Sequence, residues 1–158
     1  MDFSAELKER QKYRNLLSKE EKQYIKVKTF KKNDVLHHEG DKCNEISIVV
    51  SGQVKITSLS FEDSELVYNT IRKNEIFGNN LLFSDSPYYK GDVLCTQESV
   101  IVTILKNDLL HILQSNKFFL CEYLNVQSNF SKKLNSTIKL LSFQSAEERF
   151  KFYLFQFF

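Results

Sequence analysis

The chain has 158 residues, of which 42% are hydrophobic and 27% are charged, and its formal net charge is +2. These values predict one globular domain with a real core plus an extension. The small charge gives no reason to expect nucleic-acid or membrane binding, and no apolar run approaches the ~20 residues of a membrane helix. The acidic start Met1–Glu6 lacks a signal-peptide core, so we expect a cytoplasmic protein. The three widely spaced cysteines, Cys43, Cys95 and Cys121, are typical of reduced thiols.

Two short helices are predicted at the start of the chain, over Ser4–Tyr13 and Ser18–Val27. Ser18 and Glu21 form a capping-box pattern, in which a hydroxyl and a carboxylate satisfy the free amides of a helix start. We therefore assign residues 1–28 to N-terminal helices that precede the main domain.

A β-rich block follows these helices. Residues 46–50 repeat with the period of two that is typical of half-buried strands. Val100–Leu105 is almost wholly apolar and β-branched, which predicts a buried strand. Asn107 is then expected to cap a helix over Asp108–Gln114.

The few glycines of the chain all interrupt this β-rich block. A chain so poor in glycine keeps it where the backbone needs a positive φ or a close approach. The turns resemble the corners of a small jelly roll. We therefore predict a mainly β fold with flanking helices, built as a double-stranded β-helix barrel. The glycines are Gly40, Gly52, Gly78 and Gly91.

One long helix is predicted after the barrel, because Lys117–Leu141 contains neither glycine nor proline. Its apolar residues recur every three or four positions and form a single stripe. The stripe could cover the barrel, but a helix this long extends beyond a small barrel and needs a second partner. We therefore expect a homodimer through this helix. The predicted interface residues are Tyr123, Val126, Phe130, Leu134, Ile138 and Leu141.

The long helix is predicted to break near Ser142–Gln144, because Ser145 and Glu148 form a second capping box. A new helix then runs into a phenylalanine-rich stretch that includes Phe157 and Phe158. Such an apolar helix is a liability unless something covers it. We therefore expect the chain to be a piece of a longer protein.

Four short motifs follow one another along the chain: EGD, IVVSGQVKI, IRKNEIFGNNLLF and VLCTQESVIVTILKNDLLHIL. This order resembles the cyclic-nucleotide-binding domain of Crp/Fnr-family bacterial transcription regulators. Phe118–Phe143 then resembles that family's dimerisation helix, and Ser145–Leu154 resembles the first helix of its DNA-binding domain. The resemblance covers the chain from about Lys19 to the end. It implies a sensor domain that meets DNA through a winged helix-turn-helix absent from this chain.

In that family, a phosphate-binding cassette follows the Phe-Gly turn, and here it corresponds to Phe77–Asp92. Asn79 stands where the family has a ribose-binding glutamate, and Tyr89 stands where it has a phosphate-binding arginine. A phosphate without its bidentate partner binds much more weakly, so we predict no binding of cAMP or cGMP at physiological concentration. Lys90 as a substitute cation, another small ligand, and a purely structural cassette remain open. The candidate ligand-binding residues are Phe77, Gly78, Asn79, Asn80, Leu81, Tyr88, Tyr89, Lys90 and, on the long helix, Asn135.

The spacing of histidine and cysteine argues against other chemistry. A cupin-type metal site needs histidines on one strand face, whereas adjacent His37 and His38 face opposite sides. The lack of cysteine before Cys43 argues against an iron–sulfur cluster. Cys43, which follows Lys42, is the best candidate for a redox-sensitive thiol. We predict that the protein is not an enzyme and that it uses no cofactor and no metal.

The chain is thus expected to contain four parts. Helices occupy 1–28, the cyclic-nucleotide-binding-like jelly roll 29–116, the dimerisation helix 117–143, and a hinge with the first helix of an absent DNA-binding domain 144–158. The expected partners are a second copy, DNA through the absent domain and an unidentified small-molecule effector, but no membrane. The alternatives are a stand-alone dimeric small-ligand-binding module and, less favoured, a cupin-type metal enzyme.

Overall fold

A computed structural model describes residues 18–59 and 65–157 of the chain. The predicted helix Ser4–Tyr13 lies outside the described residues. The chain divides into two compact units, Met1–Phe119 and Leu120–Phe158, and each is described by itself. Within the described ranges, no helix is long and apolar enough to cross a membrane.

The described elements are strands followed by helices. The strands are β1 (Ile25–Phe30), β2 (Val35–His37), β3 (Glu45–Ser51), β4 (Gln53–Leu59), β5 (Glu65–Arg72), β6 (Ile76–Phe77), β7 (Asp92–Cys95) and β8 (Ser99–Leu105). The helices are α1 (Lys106–Ser115), α2 (Lys117–Ser142) and α3 (Ala146–Phe157).

The first unit contains two antiparallel sheets, with the described strands in the orders β1-β8-β3-β6 and β2-β7-β4-β5. Many neighbours in these sheets are far apart in sequence, which is typical of Greek-key and jelly-roll chains. The predicted mainly β jelly roll with a long helix after it is therefore confirmed.

Strands β3 and β8 lie at the centre of the first sheet, and buried residues alternate with half-buried ones along much of both strands. Ile46 pairs with Ile104, and each is 2% exposed. Ser47 and Thr103, which pair on the opposite face, are also buried. Buried Ser47 and Val49 alternate with half-buried Ile48 and Val50, so the predicted period of two is present, although Ile46 is buried as well.

The start of the first unit differs from the prediction for residues 1–28. The expected helix Ser18–Val27 is only a 3-10 turn, Glu21–Tyr24, and β1 begins at Ile25. Pairing with β8 along the whole of β1 overrides the local helical pattern. The capping box is confirmed: the Ser18 amide donates to Glu21 Oε2 at 2.7 Å, and the Glu21 amide donates to Ser18 Oγ at 3.1 Å.

Glu21 also ties this turn to the junction of α1 and α2. Asn116 Nδ2 donates to Glu21 Oε2 at 3.2 Å, while Asn116 Oδ1 accepts the Phe119 amide at 3.0 Å and so caps α2. Ser115 Oγ donates to Glu21 Oε1 at 3.4 Å. The hydrogen bond from the Ser18 amide is the main reason why the pKa of the Glu21 carboxyl is lowered.

Helix α1 starts earlier than predicted. Asn107 lies inside its first turn, and Leu105 occupies the cap position without a side-chain hydrogen bond. The Lys106 amide instead donates to the Asn44 carbonyl at 2.9 Å, because the chain passes directly from β8 into the helix. The predicted Asn107 cap is therefore wrong.

Positive φ angles occur at three of the glycine turns: +86° at Gly40, +88° at Gly52 and +80° at Gly78. Gly52 is also tightly enclosed. A Cβ there would overlap Ser99 Oγ and would lie 2.5 Å from the Glu98 carbonyl oxygen. Position 52 therefore accepts only glycine, and the turn between β3 and β4 rests against the start of β8.

The second unit contains most of α2 and all of α3. Helix α2 ends at Ser142, as predicted to within one residue. The capping box is again confirmed: Ser145 Oγ accepts the Glu148 amide at 3.1 Å, and the Ser145 amide donates to Glu148 Oε2 at 3.4 Å. The Phe143 and Phe152 rings pack with centroids 5.2 Å apart, which fixes the break between the helices.

Candidate functional site

The cassette Phe77–Asp92 begins where β6 ends. The Gly78 carbonyl accepts the amides of Leu81 at 3.1 Å and Leu82 at 2.9 Å, which makes one tight turn. The Leu82 side chain is fully buried and anchors that turn in the core. Asn79, in the same turn, is 6% exposed.

The second half of the cassette is bonded to the loop between β2 and β3. The Tyr89 amide donates to the Asp41 carbonyl, and the Gly40 amide donates to the Tyr89 carbonyl, each at 2.9 Å. The Cys43 amide donates to the Pro87 carbonyl at 2.7 Å. These bonds form a short ladder that points the Tyr89 side chain inward.

The Tyr89 ring fills the interior at this end of the barrel. It is 3% exposed and stacks on His37, with ring centroids 4.3 Å apart and planes 11° apart. The Phe77 ring meets His37 edge-on at 6.5 Å. A Cβ at Gly78 would lie 3.2 Å from the Tyr89 phenol oxygen and 3.3 Å from Cys43 Sγ. The aromatic cluster therefore needs glycine at position 78.

The charges around this cluster do not resemble a phosphate site. Burial raises the pKa of the Tyr89 phenol, which keeps it neutral. Burial also lowers the pKa of His37, although the Glu45 carboxylate lies 3.9 Å from its Nε2. Lys90, which is the one basic residue in the cassette sequence, is exposed. A buried phosphate needs a held cation, and this cluster offers neutral rings.

The predicted ligand residues fall into three groups. Phe77, Gly78, Asn79 and Tyr89 are buried, and Leu81 is half-buried. Asn80, Tyr88 and Lys90 are exposed on the cassette. Asn135 is exposed on α2, in the second unit. The assignment of these residues to ligand binding remains a prediction.

Sequence reasoning missed His37 and Cys43 as neighbours of the cassette. The two residues flank the turn at Gly40, about 50 positions before Tyr89 in the chain. His37 and Cys43 come close to Tyr89 only because this loop pairs with the cassette. No local sequence pattern predicts that pairing. The EGD motif marks the turn but not the strand that it meets.

Cys43, the best candidate for a redox-sensitive thiol, has the surroundings of an unreactive one. It is 2% exposed, and its thiol donates to the carbonyl oxygens of Glu45 at 3.3 Å and Gly78 at 3.5 Å. Burial raises the pKa of this thiol, which disfavours the reactive thiolate. Cys121 is the exposed cysteine of the described residues.

The neighbouring histidines have separate surroundings. His37 faces the cluster, whereas the exposed His38 lies with its Nδ1 3.5 Å from Asp92 Oδ1. The same carboxylate accepts the Glu39 amide at 2.8 Å. Over 18–59 and 65–157, no three histidine, cysteine or acidic side chains are grouped closely enough to hold a metal ion.

The predicted dimer seam on α2 has two halves. No residue of α2 is buried. Tyr123, Val126 and Phe130 are half-buried, whereas Leu134, Ile138 and Leu141 are 48%, 64% and 71% exposed.

The family model described as "Cyclic nucleotide-binding domain" matches residues 27–116, which is more than half of the chain. This chain belongs to the cyclic nucleotide-binding domain family. A curated relative of this family member is the Anaerobic regulatory protein of Bacillus subtilis (strain 168), at 26% identity over 108 residues. That match covers 68% of this chain and 45% of the relative, so the chain spans less than half of the relative's length.

Solved structures share the same cyclic nucleotide-binding fold. A transcriptional regulator from Thermotoga maritima superposes with a TM-score of 0.67 at 22% identity, covering 80% of this chain and 98% of that one. The sensor domain of the transcriptional regulator DNR from Pseudomonas aeruginosa has a TM-score of 0.63 at 19% identity, covering 88% and 96%. The predicted resemblance to Crp/Fnr-type regulators is confirmed at the level of fold and relatives.

Proposed function

We propose that this chain is the sensor and dimerisation part of a cytoplasmic Crp/Fnr-like transcription regulator, and that it does not respond to cAMP or cGMP. The family match and the regulators among its relatives support the general role. DNA contacts then belong to a domain outside this sequence. A signal at the cassette would shift the packing of α2, provided that two states of the protein bind the signal differently.

The single observation that carries the proposal is the buried stack of Tyr89 on His37. It puts a neutral ring where the family resemblance implies a cation for the cyclic phosphate. Removing one partner of a buried charge pair costs about 2–5 kcal/mol, so affinity falls by a factor of about 30 to several thousand. We therefore expect that an effector of this cassette carries no phosphate group.

Titration calorimetry of the purified chain with cAMP and with cGMP tests this proposal. We expect no saturable heat up to about 1 mM nucleotide, where binding is worth only about 4 kcal/mol. A thermal melt with the same nucleotides should show no shift, because a ligand that does not bind the native state cannot stabilise it.

The exposed Lys90 provides the matched variant for that titration. Lys90→Ala should give the same flat titration as the unchanged protein. Saturable micromolar binding to the unchanged protein would contradict the proposal, and its loss in Lys90→Ala would show that a single lysine replaces the arginine.

We also propose that the apolar stripe of α2 joins two copies of the chain. The stripe is largely exposed to water at Leu134, Ile138 and Leu141. An exposed apolar stripe on a helix is typical of a surface that packs against a partner. Sedimentation equilibrium should give twice the mass of one chain. A monomer at micromolar concentration would contradict the homodimer and favour a stripe that packs on another protein.

A further inference from the structure

His37 lies at the point where the cassette meets the barrel. Its ring stacks on Tyr89 at 4.3 Å and meets Phe77 edge-on at 6.5 Å. Its side chain is 18% exposed, so it is shielded from most of the solvent without being sealed from it. Two aromatic rings of the cluster therefore pack against one imidazole.

The attachment of the cassette runs through the residue on which His37 stacks. Tyr89 donates to the Asp41 carbonyl and accepts from the Gly40 amide, and the Cys43 amide completes the ladder at Pro87. A backbone ladder of so few bonds, at the surface, opens locally with a small free energy unless side chains hold it. The stack on His37 is a side-chain contact that holds Tyr89 inward.

The charged and titratable groups around His37 come from several elements. Glu45 of β3, 3.9 Å away, and Asp41 of the following loop favour an imidazolium. Lys28 of β1 opposes it, and the neutral Tyr89 phenol faces it. Burial is the strongest influence and lowers the pKa of His37, so the closed cassette favours the neutral ring.

We propose that the proton is an effector of this domain: a proton from solvent that binds the His37 imidazole weakens its stack on Tyr89 and opens the ladder between the cassette and the Asp41 loop. This inference rests on the proposed function in one respect, namely that the cassette is the part that receives a signal. An imidazolium gains hydration when the cassette opens and loses it when the cassette closes. Acid therefore shifts the equilibrium toward the open cassette.

Hydrogen exchange of the full chain, followed by mass spectrometry between about pH 7.5 and pH 5.5, tests this inference. The readout is the opening equilibrium of the Gly40, Cys43 and Tyr89 amides after correction for intrinsic exchange. It should rise as pH falls below 6.5, the ordinary histidine value, by up to about tenfold per pH unit until the pKa of the closed state is reached. Amides of the β3–β8 ladder serve as the internal reference and should stay flat.

Two substitutions remove the imidazole that binds the proton and keep part of its packing against Tyr89. His37→Phe keeps an aromatic ring against Tyr89, and His37→Gln serves if the phenylalanine variant fails to fold. Both should make cassette exchange independent of pH. His38→Gln, which removes the exposed neighbouring imidazole, should behave like the unchanged protein.

Exchange that does not change with pH in the unchanged protein would overturn the inference. So would a pH dependence that persists in both His37 variants. Neither result bears on nucleotide binding, which the calorimetric titration decides separately. Tight cAMP binding would sink the proposed function even if the exchange followed His37.

Discussion

The barrel and the long helix α2 differ in how far their apolar side chains are exposed to solvent. In the barrel, side chains such as Val49, Val93 and Ile101 are fully buried. In α2, no residue is buried, and Ile138 and Leu141 are more than half exposed. The barrel sequence is thus explained by contacts within its own unit, since burying such side chains is the main driving force of folding. The exposed stripe of α2 has no such explanation among the described residues, and it is the basis of the homodimer proposed above.

The largest effect should come from the turn that closes the barrel. Gly52→Ala should lower the free energy of unfolding by about 3–5 kcal/mol, because a positive φ adds to overlap with Ser99 and Glu98. Gly40→Ala is the matched control, since its φ is also positive but no atom lies within 4 Å of the added Cβ. It should cost about 1 kcal/mol. Equal losses in denaturant unfolding would show that the barrel does not depend on this close approach.

A charge placed in the apolar stripe of α2 tests whether that stripe joins two copies of the chain. Leu134→Glu should convert the dimer to a monomer, because a buried carboxylate without a partner is strongly unfavourable at an interface. The thermal unfolding of the barrel should change little. Asn129→Glu, at an exposed position nearly opposite on the helix, is the control and should remain dimeric. A Leu134→Glu protein that still sediments as a dimer would place the seam elsewhere.

A smaller effect is expected at the junction where α2 starts. Asn116→Ala removes the cap of Phe119 and the hydrogen bond to Glu21, and should cost about 1 kcal/mol, or about 2–4 °C in Tm. Asn129→Ala, in the middle of α2, should cost nothing comparable. If both variants melt alike, the Asn116 cap does not stabilise the helix start.

The stability of this junction should depend on pH through the Glu21 carboxyl. The pKa of Glu21 is lowered in the folded protein, so its contribution to stability is present above the ordinary value of 4.5 and is lost as pH falls through the lowered value. Glu21→Gln should remove this part of the acid dependence of unfolding. A pH profile identical to that of the unchanged protein would contradict this assignment.

The smallest effect concerns reactivity and leaves stability unchanged. One of the three thiols, Cys121, should react rapidly with a thiol reagent in the native protein, whereas buried Cys43 and Cys95 should react only after unfolding. Burial raises the pKa of both buried thiols. Cys121→Ser should remove the fast phase. A fast phase that survives this substitution would show that a buried thiol, Cys43 or Cys95, is reactive in the native protein.

The sequence predicted best those features whose causes are local. The glycine turns at Gly52 and Gly78, the two capping boxes and the break after Ser142 depend on a few adjacent residues. These signals act over one turn of chain, so they can be read without knowing the fold.

The features that failed depend on distant partners. β1 looked helical because nothing local shows that it pairs with β8, about 75 residues later. The burial of the polar Ser47 depends on its place in a strand that pairs with β8, which no local pattern shows. His37 and Cys43 reach the cassette through a ladder between segments far apart in the chain, so neither was predicted as its neighbour.

The stack of Tyr89 on His37 also bears on how the domain can evolve. A change of Tyr89 to arginine would not by itself create a phosphate site, because the guanidinium would lie against an imidazole that packs on a flat, neutral ring. Residues in contact have effects that do not add, so the two positions have to change together. Either change made alone should give a less stable protein, so the packing of this pair resists the gain of a phosphate site by single substitutions.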